Sequence, residues 1–234
     1  MDKKYPLLDR LIMVEGNWKT EELLEIKQEL HNQYAEERDV LLRDGISYID
    51  AFMAIGTDDF EAAYRLASPI RSRLMKKEEA WNIYETVFAS VIASFFSVLI
   101  EIEDFVDKAL TQLKVFSKSN EKKAEILKIS MCINVCTSLL YMKYFKEFDI
   151  DDSDDMEKIF SDNIATTLSS SSKELNVRKY CLALITKGLF FEMKDFVDEG
   201  FRELKASGSE EFYQYMLKEI EKFNFKYDEY NEAV

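Results

Sequence analysis

Glycine and proline are scarce in this chain, with six glycines and two prolines among 234 residues. Hairpins and α/β crossovers rely on those two residues for tight turns and left-handed backbone, and an ordinary chain carries them at a combined share of roughly 12%. Apolar residues recur instead at helical spacing from one end to the other, and no stretch alternates as a strand does. The chain is expected to be all-α, with about nine or ten helices of roughly 10 to 27 residues joined by short loops. Its length suffices for one substantial core or two small ones without a metal or disulfide.

Several helix starts are legible. Thr20-Glu21-Glu22 opens Leu23, Leu24, Ile26 and Leu30, and Thr57-Asp58-Asp59 opens Phe60, Ala63, Tyr64 and Ala67, each a capping residue followed by first-turn acids. Ser119-Asn120-Glu121 opens a helix to about Glu147, Ser153-Asp154-Asp155 opens 156–168, and the serines of 169–172 are expected to cap a helix ending near Phe191. Gly200 and Gly208 are expected to punctuate two shorter helices, and 79–117 to divide near Glu101. Residues 1–223 read as one helical-repeat domain, followed by an acidic aromatic tail, 224–234, with Phe225, Tyr227 and Tyr230.

Hydrophobic residues make up 47% of the chain and the net charge is −14, which fits a globular acidic protein and disfavours nucleic acid as a direct partner. Asp9, Arg10 and Glu15 interrupt the apolar start, so no signal peptide is read there. Thr86 to Ile100 is the longest uncharged run, about 22 Å as a helix against a hydrocarbon core of about 30 Å, and no membrane span is expected from it. Cys132, Cys136 and Cys181 sit inside apolar runs, as reduced buried thiols do. Together these features imply a cytoplasmic protein.

Two helices, 81–100 and 121–147, have nearly uncharged middles and are expected to be central and buried. The polar residues they keep fall on single faces, Thr86, Ser90, Ser94 and Ser97 on one and Ser130, Asn134, Ser138 and Tyr141 on the other. Small hydroxyls of this kind either bond back to their own helix as packing features or line a wet groove that holds an extended peptide. Asn134 is the most informative, since one amide donates to and accepts from a peptide unit together. Arg71 and Arg73 precede the central helices, either as ordinary salt-bridge partners or as bidentate hosts for a peptide carboxylate.

Other chemistry finds little support. The single histidine, His31, lies among Glu29, Glu36 and Glu37 without a nucleophile, and the cysteines with it make a poor zinc set, so neither catalytic residues nor metal ligands are assigned. Read as a calcium loop from Asp149, the chain has Asp154 where glycine is needed and Phe160 where a bidentate glutamate is needed. The nearest helix-turn-helix candidate, 43–71, carries net charge −2 and puts Asp58 and Asp59 where phosphate would lie. No glycine-rich phosphate loop is present, and no cofactor is expected.

Glu78-Glu79-Ala80-Trp81-Asn82-Ile83-Tyr84-Glu85, followed by Val87-Phe88, resembles a landmark of the Rgg/MutR-type regulators of Gram-positive bacteria. The long helix centred on Asn134 resembles that family's next central helix, and Arg178-Lys179-Tyr180-Cys181-Leu182 with Lys187-Gly188, Glu199-Gly200 and Ser207-Gly208-Ser209-Glu210-Glu211 resembles its closing pattern, so that the likeness spans 60–222. The resemblance implies a right-handed stack of helix pairs related to tetratricopeptide repeats, a homodimer, and a short quorum-sensing peptide held in a concave face. It carries the family's central asparagine onto Asn134 and sets Ser90 where many members have asparagine. The family's DNA-binding helix-turn-helix has no counterpart in these residues, which implies either a receptor domain cut from a longer regulator or a stand-alone relative that acts through another protein, such as a heterodimer with a DNA-binding relative. The peptide-binding candidates are Asn134, Ser90, Ser94, Ser130, Ser138, Tyr141, Tyr84, Arg71 and Arg73.

Three other readings compete with this one. A 14-3-3-like phosphopeptide binder needs an arginine, lysine and tyrosine cluster that the central helices lack, and a carboxylate-bridged metal bundle needs more than one histidine. A ligand-free modulator that dimerises with a full-length regulator requires neither.

Overall fold

The computed structural model describes residues 5–14, 20–57, 59–94, 99–118, 120–145, 153–170 and 176–223. Among them are eleven helices and no strand: α1 (Pro6–Val14), α2 (Thr20–Glu37), α3 (Val40–Ile55), α4 (Phe60–Lys76), α5 (Ile83–Ile92), α6 (Leu99–Ser117), α7 (Glu121–Phe145), α8 (Ser153–Ser170), α9 (Val177–Phe190), α10 (Lys194–Ala206) and α11 (Glu210–Glu221). The all-α expectation holds. Where the sequence reads one domain over 1–223, the helices gather into two compact units that divide between Lys128 and Ile129, within α7.

In the first unit α5 is the axis. Its one charge is Glu85, and every residue from Tyr84 to Ile92 is buried, as a helix apolar on all sides must be. It packs against α1, α3, α4 and α6. Asn82 starts it with a capping box, its side chain accepting the Glu85 N–H at 3.0 Å while the Glu85 carboxylate accepts the Asn82 N–H at 2.9 Å. Asp39 caps α3 by accepting the Leu41 N–H at 2.8 Å, and Asp59 caps α4 by accepting the Ala62 N–H at 3.0 Å. Phe88 of α5 lies 5.2 Å from the Tyr48 ring of α3, and Arg10 of α1 reaches Glu25 and Glu29 of α2 at 2.6 and 3.1 Å.

In the second unit α9 and α10 make the closest approach. A Cβ at Gly188 would stand 2.5 Å from Val197 Cγ2 and 2.9 Å from the Met193 carbonyl, and one at Gly200 would stand 2.6 Å from Ile185 Cγ1 and 3.0 Å from the Cys181 carbonyl. Each glycine therefore lets the other helix's backbone in. Phe160 of α8 stacks on Phe190 at a centroid separation of 3.7 Å, and Cys132, Cys136 and Cys181 are free and buried. α7 is tied to the end of α9 by Lys143 and Tyr144, which donate to the Phe190 and Leu189 carbonyls at 2.5 and 3.1 Å and satisfy groups that a helix terminus leaves unpaired.

Three boundaries differ from expectation. Helix 81–100 stops at Ile92, where the Ala93 N–H turns to Ala89 and Val91 and the Ser94 N–H to Val91 at 3.0 Å, a tightening that no glycine or proline announces. The division of 79–117 therefore falls before α6 and not near Glu101. Gly200 lies inside α10 and does not end a helix, whereas Gly208 follows its end at φ 71°. The serines at 169 and 170 close α8, and Asn176 caps α9 by accepting the Lys179 N–H at 3.2 Å. The expected tail, 224–234, lies outside the described residues, as do Ser97 and residues 149–152 of the calcium-like run.

Gly188→Ala is expected to destabilise the protein by about 1–3 kcal/mol through overpacking. Gly208→Ala is expected to cost about 1–2 kcal/mol from backbone strain alone, since nothing lies within 4 Å of its Cβ position. Urea midpoints at unchanged slope check both.

Candidate functional site

The polar face of α5 is turned into its own helix. Thr86 donates to the Asn82 carbonyl at 2.8 Å, Ser90 to Val87 at 2.8 Å and Ser94 to Val91 at 2.7 Å. Thr86 and Ser90 are buried, at 2% and 1% exposure, and only Ser94 is half-buried. This is the packing use of small hydroxyls in an apolar helix. Tyr84 is likewise buried, its hydroxyl donating to Asp9 of α1 at 3.0 Å and its ring meeting Tyr5 edge-on at 5.5 Å.

The corresponding face of α7, in the second unit, is different. Ser130 and Ser138 are buried, and Lys179 of α9 donates to the Ser130 hydroxyl. Asn134, Thr137 and Tyr141 are half-buried while the other residues of 129–142 are buried, so that they form a polar line reaching solvent along the middle of the helix. Thr137 donates to the Ile133 carbonyl at 3.0 Å, and Tyr141 to Glu219 of α11 at 2.9 Å. Ser90 and Ser94 thus belong to the first unit and Ser130, Asn134, Ser138 and Tyr141 to the second.

Arg71 and Arg73 point apart, because two residues along a helix turn the side chain by about 200°. Arg71 goes to α6, 3.1 Å from Glu101 and over the Tyr64 ring, whose hydroxyl it also reaches at 3.0 Å. Arg73 goes to the start of α5 and the middle of α3. Its Nη1 donates to Glu85 at 2.5 Å and its Nε to Asp44 at 2.8 Å, while Nη2 lies 2.6 Å from the same Asp44 oxygen without hydrogen-bond alignment. Lys77 adds bonds of 3.0 and 2.8 Å to the two Glu85 oxygens. The two arginines do not share one carboxylate, and each is held in a structural ion pair.

Asp44 and Glu85, at 1% and 2% exposure, are shifted in opposite directions. Burial raises the Asp44 carboxyl above its ordinary value despite Arg73 and Arg43. Burial acts in the same sense on Glu85, but bonds from Lys77, Arg73 and the Asn82 amide outweigh it and lower the carboxyl. Beside this cluster opens a cleft of about 540 Å³ whose walls include Tyr5, Val40, Leu41, Lys76, Glu79 and Asn82. Cations and carboxylates stand there in equal number, so it has no marked preference for an anion.

Among the described residues no group of three or more histidine, cysteine or acidic side chains is placed to hold a metal. Burial pushes the Cys136 thiol well above its ordinary value, which keeps it protonated. His31 is exposed on α2. One described helix, α7, is long and apolar enough to cross a membrane by length and composition, and 67% of its apolar window is buried inside the protein. Buried Trp81 has no acceptor for its Nε1–H among the described residues, while its backbone N–H donates to Gln112 at 3.0 Å.

No protein-family model matches the chain, and no curated protein and no solved structure matches it significantly.

Sequence reasoning passed over Asp44, Lys77 and Glu85. Two signals mark them: a lone carboxylate in the apolar start of α3, Val40-Leu41-Leu42-Arg43-Asp44-Gly45-Ile46, and the capping-box spacing Asn82-x-x-Glu85. Glu85→Gln is expected to destabilise the protein by about 3–5 kcal/mol at neutral pH, because it leaves Arg73 and Lys77 without their buried counter-charge. The folded-state value of Glu85 lies below its unfolded one, so its stabilising contribution is complete above the unfolded value and is lost as pH falls through the folded one. The gap between wild type and variant should therefore narrow on acidification, as denaturant titrations from pH 7 down to about pH 3 would show.

Proposed function

We propose that this chain is a cytoplasmic, non-catalytic peptide-binding module of the Rgg type, which senses a short linear signalling peptide and acts on transcription through protein partners. The observation that carries the reading is the line of Asn134, Thr137 and Tyr141 on α7. A polar line kept half-open along the buried middle of a helix suits recognition of a peptide backbone, and an asparagine amide serves both the donor and the acceptor of one peptide unit. Helix pairing in the first unit supports a stack of helix pairs in part: sequence neighbours touch from α1·α2 to α5·α6, as do the next-but-one pairs α1·α3, α3·α5 and α4·α6, while α1 also folds back onto α5. The right-handed course of that stack, and its homodimer, are part of the proposal.

The second reading, a ligand-free modulator that dimerises with a DNA-binding relative, is favoured by the α5 hydroxyls, which bond within their own helix and offer a ligand little. Native mass spectrometry of the protein from its own host separates the two. A co-purifying peptide of about 6–12 residues, the length that one groove accommodates, is expected. Asn134→Ala should lower its retention about tenfold, the loss of one well-made hydrogen bond to the ligand. A bare homodimer, or a heterodimer without peptide, would instead establish the modulator.

A further inference from the structure

The polar line of α7 runs into an aromatic patch. Phe145, at the end of the helix, is 53% exposed and stacks on Tyr141 at 5.5 Å. Phe223, beyond α11, closes the cluster from the other side, 5.2 Å from both Tyr141 and Tyr144 and 5.7 Å from Phe145. Tyr141 thus belongs to both features, its hydroxyl in the polar line and its ring in the patch.

Phe223 is also where the described chain ends, and the sequence continues Asn-Phe-Lys-Tyr-Asp-Glu-Tyr-Asn-Glu-Ala-Val over 224–234. That segment therefore starts within the cluster. It carries three aromatic residues, Phe225, Tyr227 and Tyr230, and a net charge of −2. Eleven residues extend up to about 36–40 Å. Asn134 and Phe145, eleven residues apart on a helix, are separated by only about 16 Å.

We propose that residues 224–234 are a built-in occupant of the α7 face, docking their aromatic side chains beside Phe145 and Tyr141 and competing there with incoming peptide. A tethered segment meets its site at an effective concentration in the millimolar range, so weak contacts suffice to hold it and a tighter ligand displaces it. The docking contact stands on the patch alone. Its regulatory consequence rests on the peptide-binding reading.

The test uses a fluorescein-labelled synthetic peptide with the sequence of residues 224–234, followed by fluorescence polarisation against the full chain. In the variant Phe225→Ala/Tyr227→Ala/Tyr230→Ala the resident segment is disabled, and the synthetic peptide is expected to bind it at least tenfold more tightly than it binds wild type. Adding Phe145→Ser, an exposed position whose change should leave the far-UV circular dichroism intact, is expected to abolish that gain. Equal affinity for wild type and triple variant, binding to neither, or binding indifferent to Phe145→Ser would overturn the proposal. Binding of the synthetic segment as expected, with no peptide co-purifying from the host, would uphold the docking contact and overturn the peptide-sensing reading and with it the competition.

Discussion

The first unit depends on one buried carboxylate. Glu85 both completes the cap of α5 and receives Arg73 and Lys77 from the end of α4, and Arg73 in turn reaches Asp44 in the middle of α3. Three helices are thereby fixed in register by charges that would each be costly to bury alone. Satisfying Glu85 on both oxygens makes its burial tolerable, and once it is buried the rest of α5 can be apolar on every side. The cluster is a directional complement to the surrounding hydrophobic contacts, which by themselves allow helices to slide.

The second unit uses a different device. Gly188 and Gly200 remove side chains where α9 and α10 meet, so backbone packs on side chain at distances no other residue permits. Around that contact the buried thiols and the Phe160–Phe190 stack fill the interior. In the middle of α7, among buried neighbours, Asn134, Thr137 and Tyr141 stay half-buried, Thr137 bonding back to the Ile133 carbonyl and Tyr141 reaching Glu219. Recognition chemistry and packing chemistry use the same residue types here, and burial separates them.

Much of this was legible in advance, though unevenly. Helical class followed from the scarcity of turn-forming residues, and the starts at Asp59 and Asn120 lay within the expected capping runs. Ends were harder, because α5 stops without glycine or proline and α9 is followed by Glu192 at φ 56°, a left-handed position that sequence would assign to glycine. Among the candidate residues, polar side chains at equal spacing on two helices gave identical patterns, so spacing alone did not tell the packing stripe of Ser90 from the half-open stripe of Asn134. Arg71 and Arg73, two residues apart and grouped together on sequence, are directed by helical rotation to different partners.

The amino-acid sequence by itself determined an acidic, all-helical chain with two unusually apolar helices and reduced thiols, since composition and periodicity act locally and need no knowledge of neighbours. Only the tertiary structure decided which polar residues are used for packing and which reach solvent, because that depends on what other helices cover them. It alone joined Asp44, Arg73, Lys77 and Glu85, contributed by separate segments, into one cluster. Long-range pairing of this kind is set by the geometry of helix packing, which leaves no periodic trace in the order of the residues.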